Sequence, residues 1–129
     1  MVRGPHRVVV LVVEDDEDLR IFYRSVLSVN GYKVILAADG IEALHHLDQD
    51  IRPHLVILDL NLPRLGGGDV KREIRAHAAT ANIPILVITG MDPSELDPGD
   101  FHCVIRKPVT ADGLLDAVAL CLPAPTLGV

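Results

Sequence analysis

Apolar residues in this chain gather in five short runs, and the polar residues that end them carry the chemistry. The runs are Val8–Val13, Lys33–Ala38, Leu55–Leu58, Ile83–Ile88 and Cys103–Arg106. Runs this short, aliphatic and bounded by turn formers such as Pro53 read as strands buried on both faces.

Between the runs, apolar residues recur at helical spacing. Leu19, Phe22, Tyr23, Val26 and Leu27 make one apolar face, with Asp16 or Asp18 as the cap and Asn30-Gly31 as the stop. Asp39-Gly-Ile-Glu42 has capping-box spacing, and Ile41, Leu44 and Leu47 predict a buried stripe on a helix ending near Asp50. Gly66-Gly-Gly68 predicts a turn, with Asp69 capping a helix that buries Val70 and Ile74. Arg64, Arg72 and Arg75 are expected on a solvated face. Thr110 caps a last helix carrying Leu114, Leu115, Val118 and Leu122, and Pro123 closes it. Each strand-to-strand connection is long enough for a right-handed crossover, which requires parallel strands with helices on both faces. The expected fold is therefore α/β: a doubly wound five-stranded parallel sheet, order 2-1-3-4-5, with a switch point between the first and third strands.

Composition removes several functions. The net charge of −6 argues against direct nucleic-acid binding and against docking on an anionic membrane. Val8–Val13 is too short to span a bilayer. Cys103 and Cys121 match neither a disulfide framework nor a zinc site and are expected as reduced thiols in a cytoplasmic protein. The six histidines, His45, His46, His54, His77 and His102 among them, show no metal-ligand spacing and are expected to be structural or on the surface.

In the order 2-1-3-4-5 the carboxyl ends of strands one, three, four and five adjoin. They deliver Glu14 and Asp15, Asp59, Thr89 and Lys107 to one crevice. Clustered carboxylates repel one another unless a cation sits among them. Oxygen donors without His or Cys suit Mg²⁺. A lysine and a threonine add little to a metal cage but fit a phosphoryl group beside it. The set points to phosphorylation of a carboxylate. Taken singly, each residue has a plainer reading: Glu14, Asp15 and Asp16 as an acidic first helical turn, Thr89 as a turn residue, Lys107 as a solvated strand-end charge.

Together, Val-Leu-Val-Val-Glu14-Asp15-Asp16, Leu-Val-Ile-Leu-Asp59-Leu-Asn61-Leu-Pro63, Gly67, Thr89-Gly90 and Lys107-Pro108 resemble the receiver domain of two-component response regulators. The resemblance implies a flavodoxin-like receiver domain over residues 6–122, after an N-terminal extension at 1–5 and before a tail at 123–129 that is disordered or begins a linker. It implies Asp59 as the phosphoacceptor, served by a histidine kinase or histidine phosphotransfer protein. It implies Mg²⁺ held by Asp15, Asp59 and the backbone carbonyl of Asn61, with Glu14 acting through water. Thr89 and Lys107 would contact the phosphoryl group, Asn61 and Met91 would tune its lifetime, and the Lys107–Pro108 bond would be cis. The domain would be a switch, not an enzyme beyond assisting its own phosphorylation and dephosphorylation. It would act on a downstream protein or a fused output domain. Cognate kinase, output and oligomeric state stay open.

The sequence departs from the family twice. Val104 stands where receivers usually carry a switch Tyr or Phe, with His102 on the same strand face. Thr89 to Lys107 spans 18 positions, about one helical turn short of the usual pattern. With Pro93, Pro98 and Gly99 in that gap, the fourth helix should be shortened or missing and residues 91–101 weakly protected from hydrogen exchange. These departures support an alternative, a phosphorylation-independent interaction module on the same fold. A phosphohydrolase is disfavoured, because Asn61 occupies the place of its second carboxylate and no cap domain is at hand to hold a substrate.

Overall fold

The computed structural model describes residues 7–49, 51–62, 66–92, 94 and 103–123. Five strands, β1 (Val9–Val13), β2 (Lys33–Ala37), β3 (Leu55–Asp59), β4 (Ile85–Thr89) and β5 (Cys103–Arg106), form one parallel sheet in the order β2-β1-β3-β4-β5. The helices are α1 (Glu17–Val29), α2 (Gly40–Asp48), α3 (Gly67–Ala76) and α4 (Ala111–Cys121). This is the doubly wound sheet expected from the apolar runs. Among the described residues no helix stands between β4 and β5, which fits a shortened or missing helix there; residues 93 and 95–102 lie outside them. So do the 1–5 extension, Pro63, Arg64, His102 and residues 124–129 of the tail.

Local chemistry sets the helix ends. Asp16, Asp39 and Thr110 each accept a hydrogen bond from the backbone N–H three residues on. Each satisfies a donor that the first helical turn leaves unpaired. Gly31, at φ +93°, reverses the chain after α1, and the Tyr32 N–H returns to the Leu27 carbonyl. α3 starts earlier than expected: Gly66 is its cap without a side-chain bond, and Asp69 lies in the first turn. A carboxylate there meets the positive end of the helix dipole and need not be the cap itself. In α2 the buried positions are Gly40, Ala43 and Leu47, while Ile41 is half exposed. Leu47 is buried and Leu44 packs against the core as expected, while small residues take the remaining inward positions in place of Ile41. Arg75 is not on a solvated face: its guanidinium donates to the carbonyls of Ala81 and Ile83 and ties the end of α3 to the approach to β4.

Side chains alternate across the sheet. Val10 and Val12 of β1, Leu55 and Ile57 of β3, and Leu86 and Ile88 of β4 pack with Tyr23, Leu27, Leu114 and Val118, under α1 and α4. Leu11, Val13, Val56, Leu58, Ile85 and Val87 pack with Ala43, Leu47, Val70 and Ile74, under α2 and α3. Each fully buried aliphatic chain contributes roughly 1.5–3 kcal/mol, so both layers hold the sheet. Cys103 and Cys121 are free thiols on the α1/α4 side; burial, then the adjacent Cys103 thiol, push Cys121 up to about 12. No helix among the described residues is long and apolar enough to cross a membrane.

Candidate functional site

The alternation carries through to the carboxyl edge. Residues 10 and 12 face α1 and α4, and Glu14 continues that parity; 55 and 57 lead likewise to Asp59. Cys103 and Ile105 pack on the same side, and Lys107 follows them. The register seals the arrangement. Val13 pairs with Leu58, so Glu14 and Asp59 leave the sheet side by side.

Glu14 and Asp59 are buried, at 1% and 3% exposure, while Asp15 is exposed. One carboxylate oxygen from each of the three lies within 4.8 Å of the others. Lys107 Nζ is 3.4 Å from Glu14 Oε1 and 3.5 Å from Asp59 Oδ2. The contact with Glu14 is an ion pair without hydrogen-bond geometry, and Glu14 Oε1 is left buried with no hydrogen-bond partner. Glu14 Oε2 accepts from the Asp16 N–H, and Asp59 Oδ1 from the Asn61 N–H.

Burial, and after it the neighbouring Asp59, raise the Glu14 carboxyl to about 7, against the pull of the Asp16 N–H and of Lys107. Burial draws the Lys107 ammonium down, but Glu14 and Asp59 outweigh it and the net shift is upward. One ammonium thus faces two buried carboxylates. The deficit of positive charge, the all-oxygen donors and the orphaned Glu14 oxygen fit a hard divalent cation.

Thr89 is fully buried with the opposite parity, following Ile85 and Val87 on the α2/α3 side, and its Oγ1 accepts from the Met91 N–H. Val104 packs, half buried, on that same side. Asn61 and Met91 are exposed at the rim. The Lys107–Pro108 peptide is cis, and the Lys107 N–H donates to the Thr89 carbonyl at 2.7 Å. Sequence reasoning missed Arg20, whose guanidinium donates to the carbonyls of Glu14 and Asp15 and pins the acidic turn. A solvent-facing Arg on α1 gives no signal of that. Among the described residues no histidine takes part in the cluster: His46 bonds the Leu36 carbonyl, and His54 Nδ1 accepts from the Val9 N–H at the opposite edge.

Residues 10–119 match the family described as the response regulator receiver domain. Response regulator MprA of Mycobacterium avium is 46% identical over 83 residues, which are 64% of this chain and 35% of that protein. MprA of Mycobacterium tuberculosis matches to the same extent. The chain thus spans about a third of the length of these relatives. Among solved structures, the chemotaxis response regulator CheY4 of Vibrio cholerae superposes with a TM-score of 0.84 at 29% identity, covering 90% of this chain and 99% of that one. The receiver domain of a sensor histidine kinase from Pseudomonas aeruginosa, solved with a magnesium ion coordinated in its active-site cleft, gives 0.77 at 27% identity, covering 89% and 97%.

Proposed function

This chain belongs to the response regulator receiver domain family of two-component signalling, and from that premise we propose that it takes a phosphoryl group on Asp59 from a histidine kinase or a histidine phosphotransfer protein. The observation that carries the reading is a buried Asp59 with Lys107 Nζ at 3.5 Å, inside a cluster of three carboxylates. An Asp59 oxygen attacks phosphorus, the new O–P bond forms as the donor's N–P bond breaks, and the imidazole leaves. Lys107 neutralises charge on the transferring oxygens, and the Thr89 hydroxyl donates to one of them. Asp15, Asp59 and the Asn61 carbonyl would hold Mg²⁺, with Glu14 acting through water, and the ion would supply further charge neutralisation.

Loss of the phosphoryl group to water completes the switch, with Asn61 and Met91 at the rim setting its lifetime. Val104 offers no ring to report the phosphorylated state. The functional unit is residues 6–122, acting in the cytoplasm on a downstream protein or a fused output domain.

Incubation with acetyl phosphate and Mg²⁺ tests this by intact mass. Wild type should gain one phosphoryl group. Asp59→Asn, or wild type in EDTA, should gain none. An unmodified wild type under these conditions would sink the reading.

A further inference from the structure

Two buried side-chain polar atoms among the described residues have no hydrogen-bond partner, Glu14 Oε1 and Tyr23 Oη. An orphaned buried hydroxyl loses its bonds to water without replacement, so a tyrosine there needs an explanation that a phenylalanine would not. Tyr23 is 1% exposed and belongs to the core cluster that holds Val12, Ile57 and Ile88, the residues that precede Glu14, Asp59 and Thr89 by one or two positions. It covers the face of the sheet whose alternation runs on into Glu14, Asp59 and Lys107. Its hydroxyl is held protonated, first by burial and then by the negative charge of Glu14, Asp59 and Asp16. A buried hydroxyl without an acceptor, and a buried carboxylate oxygen whose cationic neighbour Lys107 lies 3.4 Å away without hydrogen-bond geometry, therefore belong to the same face of the sheet.

We propose that Tyr23 is a positioning residue of the metal site: its hydroxyl, through a shared water, orients the Glu14 carboxylate toward the bound cation. The inference rests on the Mg²⁺ reading of Glu14, Asp15 and Asp59. Hydroxyls behind a metal-site carboxylate fix its direction, and losing one costs about tenfold in metal affinity.

The chain has no tryptophan and two tyrosines, so tyrosine emission reports the site directly. Tyr32 precedes β2 at the amino edge, away from the cluster. Mg²⁺ titration of the full chain, followed by tyrosine emission and by calorimetry, compares wild type, Tyr23→Phe and Tyr32→Phe. Wild type and Tyr32→Phe should show the same emission response. Tyr23→Phe should lose that response and bind Mg²⁺ about tenfold more weakly by calorimetry. An unchanged Mg²⁺ Kd in Tyr23→Phe, or silent emission in Tyr32→Phe while calorimetry detects binding, overturns the role of Tyr23 alone. A tyrosine of purely structural importance would shift thermal stability in EDTA and leave Kd where it was. Absence of Mg²⁺ binding in wild type overturns the metal reading itself, and this inference with it.

Discussion

The sheet face under α1 and α4 and the face under α2 and α3 are built from the same aliphatic residues, yet they end differently at the carboxyl edge. The first runs out into Glu14, Asp59 and Lys107, with Tyr23 buried in the core beneath that face. The second runs out into Thr89, with Val104 beneath it. Buried charge is concentrated on one side and a buried neutral hydroxyl ends the other, where the exposed Asp15 continues the parity of Val13. A two-residue period is enough to separate them, because a strand sends alternate residues to opposite faces. With Asp59 as the phosphoacceptor, the charged face would carry most of the stabilisation of the acyl phosphate, and the neutral face would add one hydroxyl contact to it.

Removing the one contact each face makes with the phosphoryl group tests that division most strongly. Lys107→Ala takes away the cation that lies within 4 Å of both the Glu14 and Asp59 carboxylates. Phosphorylation by acetyl phosphate should slow by about 10²-fold or more, as when a preorganised charge stabiliser is lost. Thr89→Ala removes a neutral donor worth about 0.5–1.5 kcal/mol and should slow it by about tenfold or less. Equal losses in the two variants, read as initial rates by intact mass, would break the comparison.

The strands and their order were legible because each is an unbroken aliphatic run, and Glu14, Asp15, Asp59, Thr89 and Lys107 were legible because they end those runs. The division by face was not, since it depends on register and on which helices cover which side. Helical spacing marked Tyr23 as core but could not show its hydroxyl buried and unpartnered. Arg20 and Arg75 gave no sign of their backbone acceptors, which are carbonyls brought near only by folding. Ile41 misled because apolarity alone does not say that Gly40 and Ala43 fill the narrow inward positions of α2.

The charged face should also reveal itself through pH. Glu14 moves from its ordinary 4.5 to about 7 in the folded, metal-free protein. Between those values the folded state holds more protons than the unfolded chain, so stability falls as pH rises through the window. The contribution is fully present below 4.5 and gone above 7, of the order of 2–3 kcal/mol. Glu14→Gln keeps the shape and cannot ionise. In EDTA its Tm should match wild type near pH 4.5 and exceed it by several degrees at pH 8, at about 3–6 °C per kcal/mol. Excess Mg²⁺ at pH 8 should close the gap from the wild-type side, since only wild type regains a counter-charge. A Tm difference independent of pH would remove the buried charge from the account.

The smallest expected effect sharpens the comparison most. Val104→Tyr places a ring on the neutral face, where Val104 is half buried. The ring adds no charge and lies across the sheet from Glu14 and Tyr23. Mg²⁺ affinity should therefore stay within about twofold of wild type, the usual margin for sites that share no partner. The phosphorylation rate should hold as steady, and overpacking should cost stability toward the low end of about 1–3 kcal/mol. What should change is the response of the β4–β5 side to phosphorylation, read as amide chemical-shift changes around Thr89 and residue 104. If Val104→Tyr weakened Mg²⁺ binding as much as Tyr23→Phe, the two faces would be coupled through the sheet. The assignment of Glu14's positioning to the α1/α4 side alone would then fail.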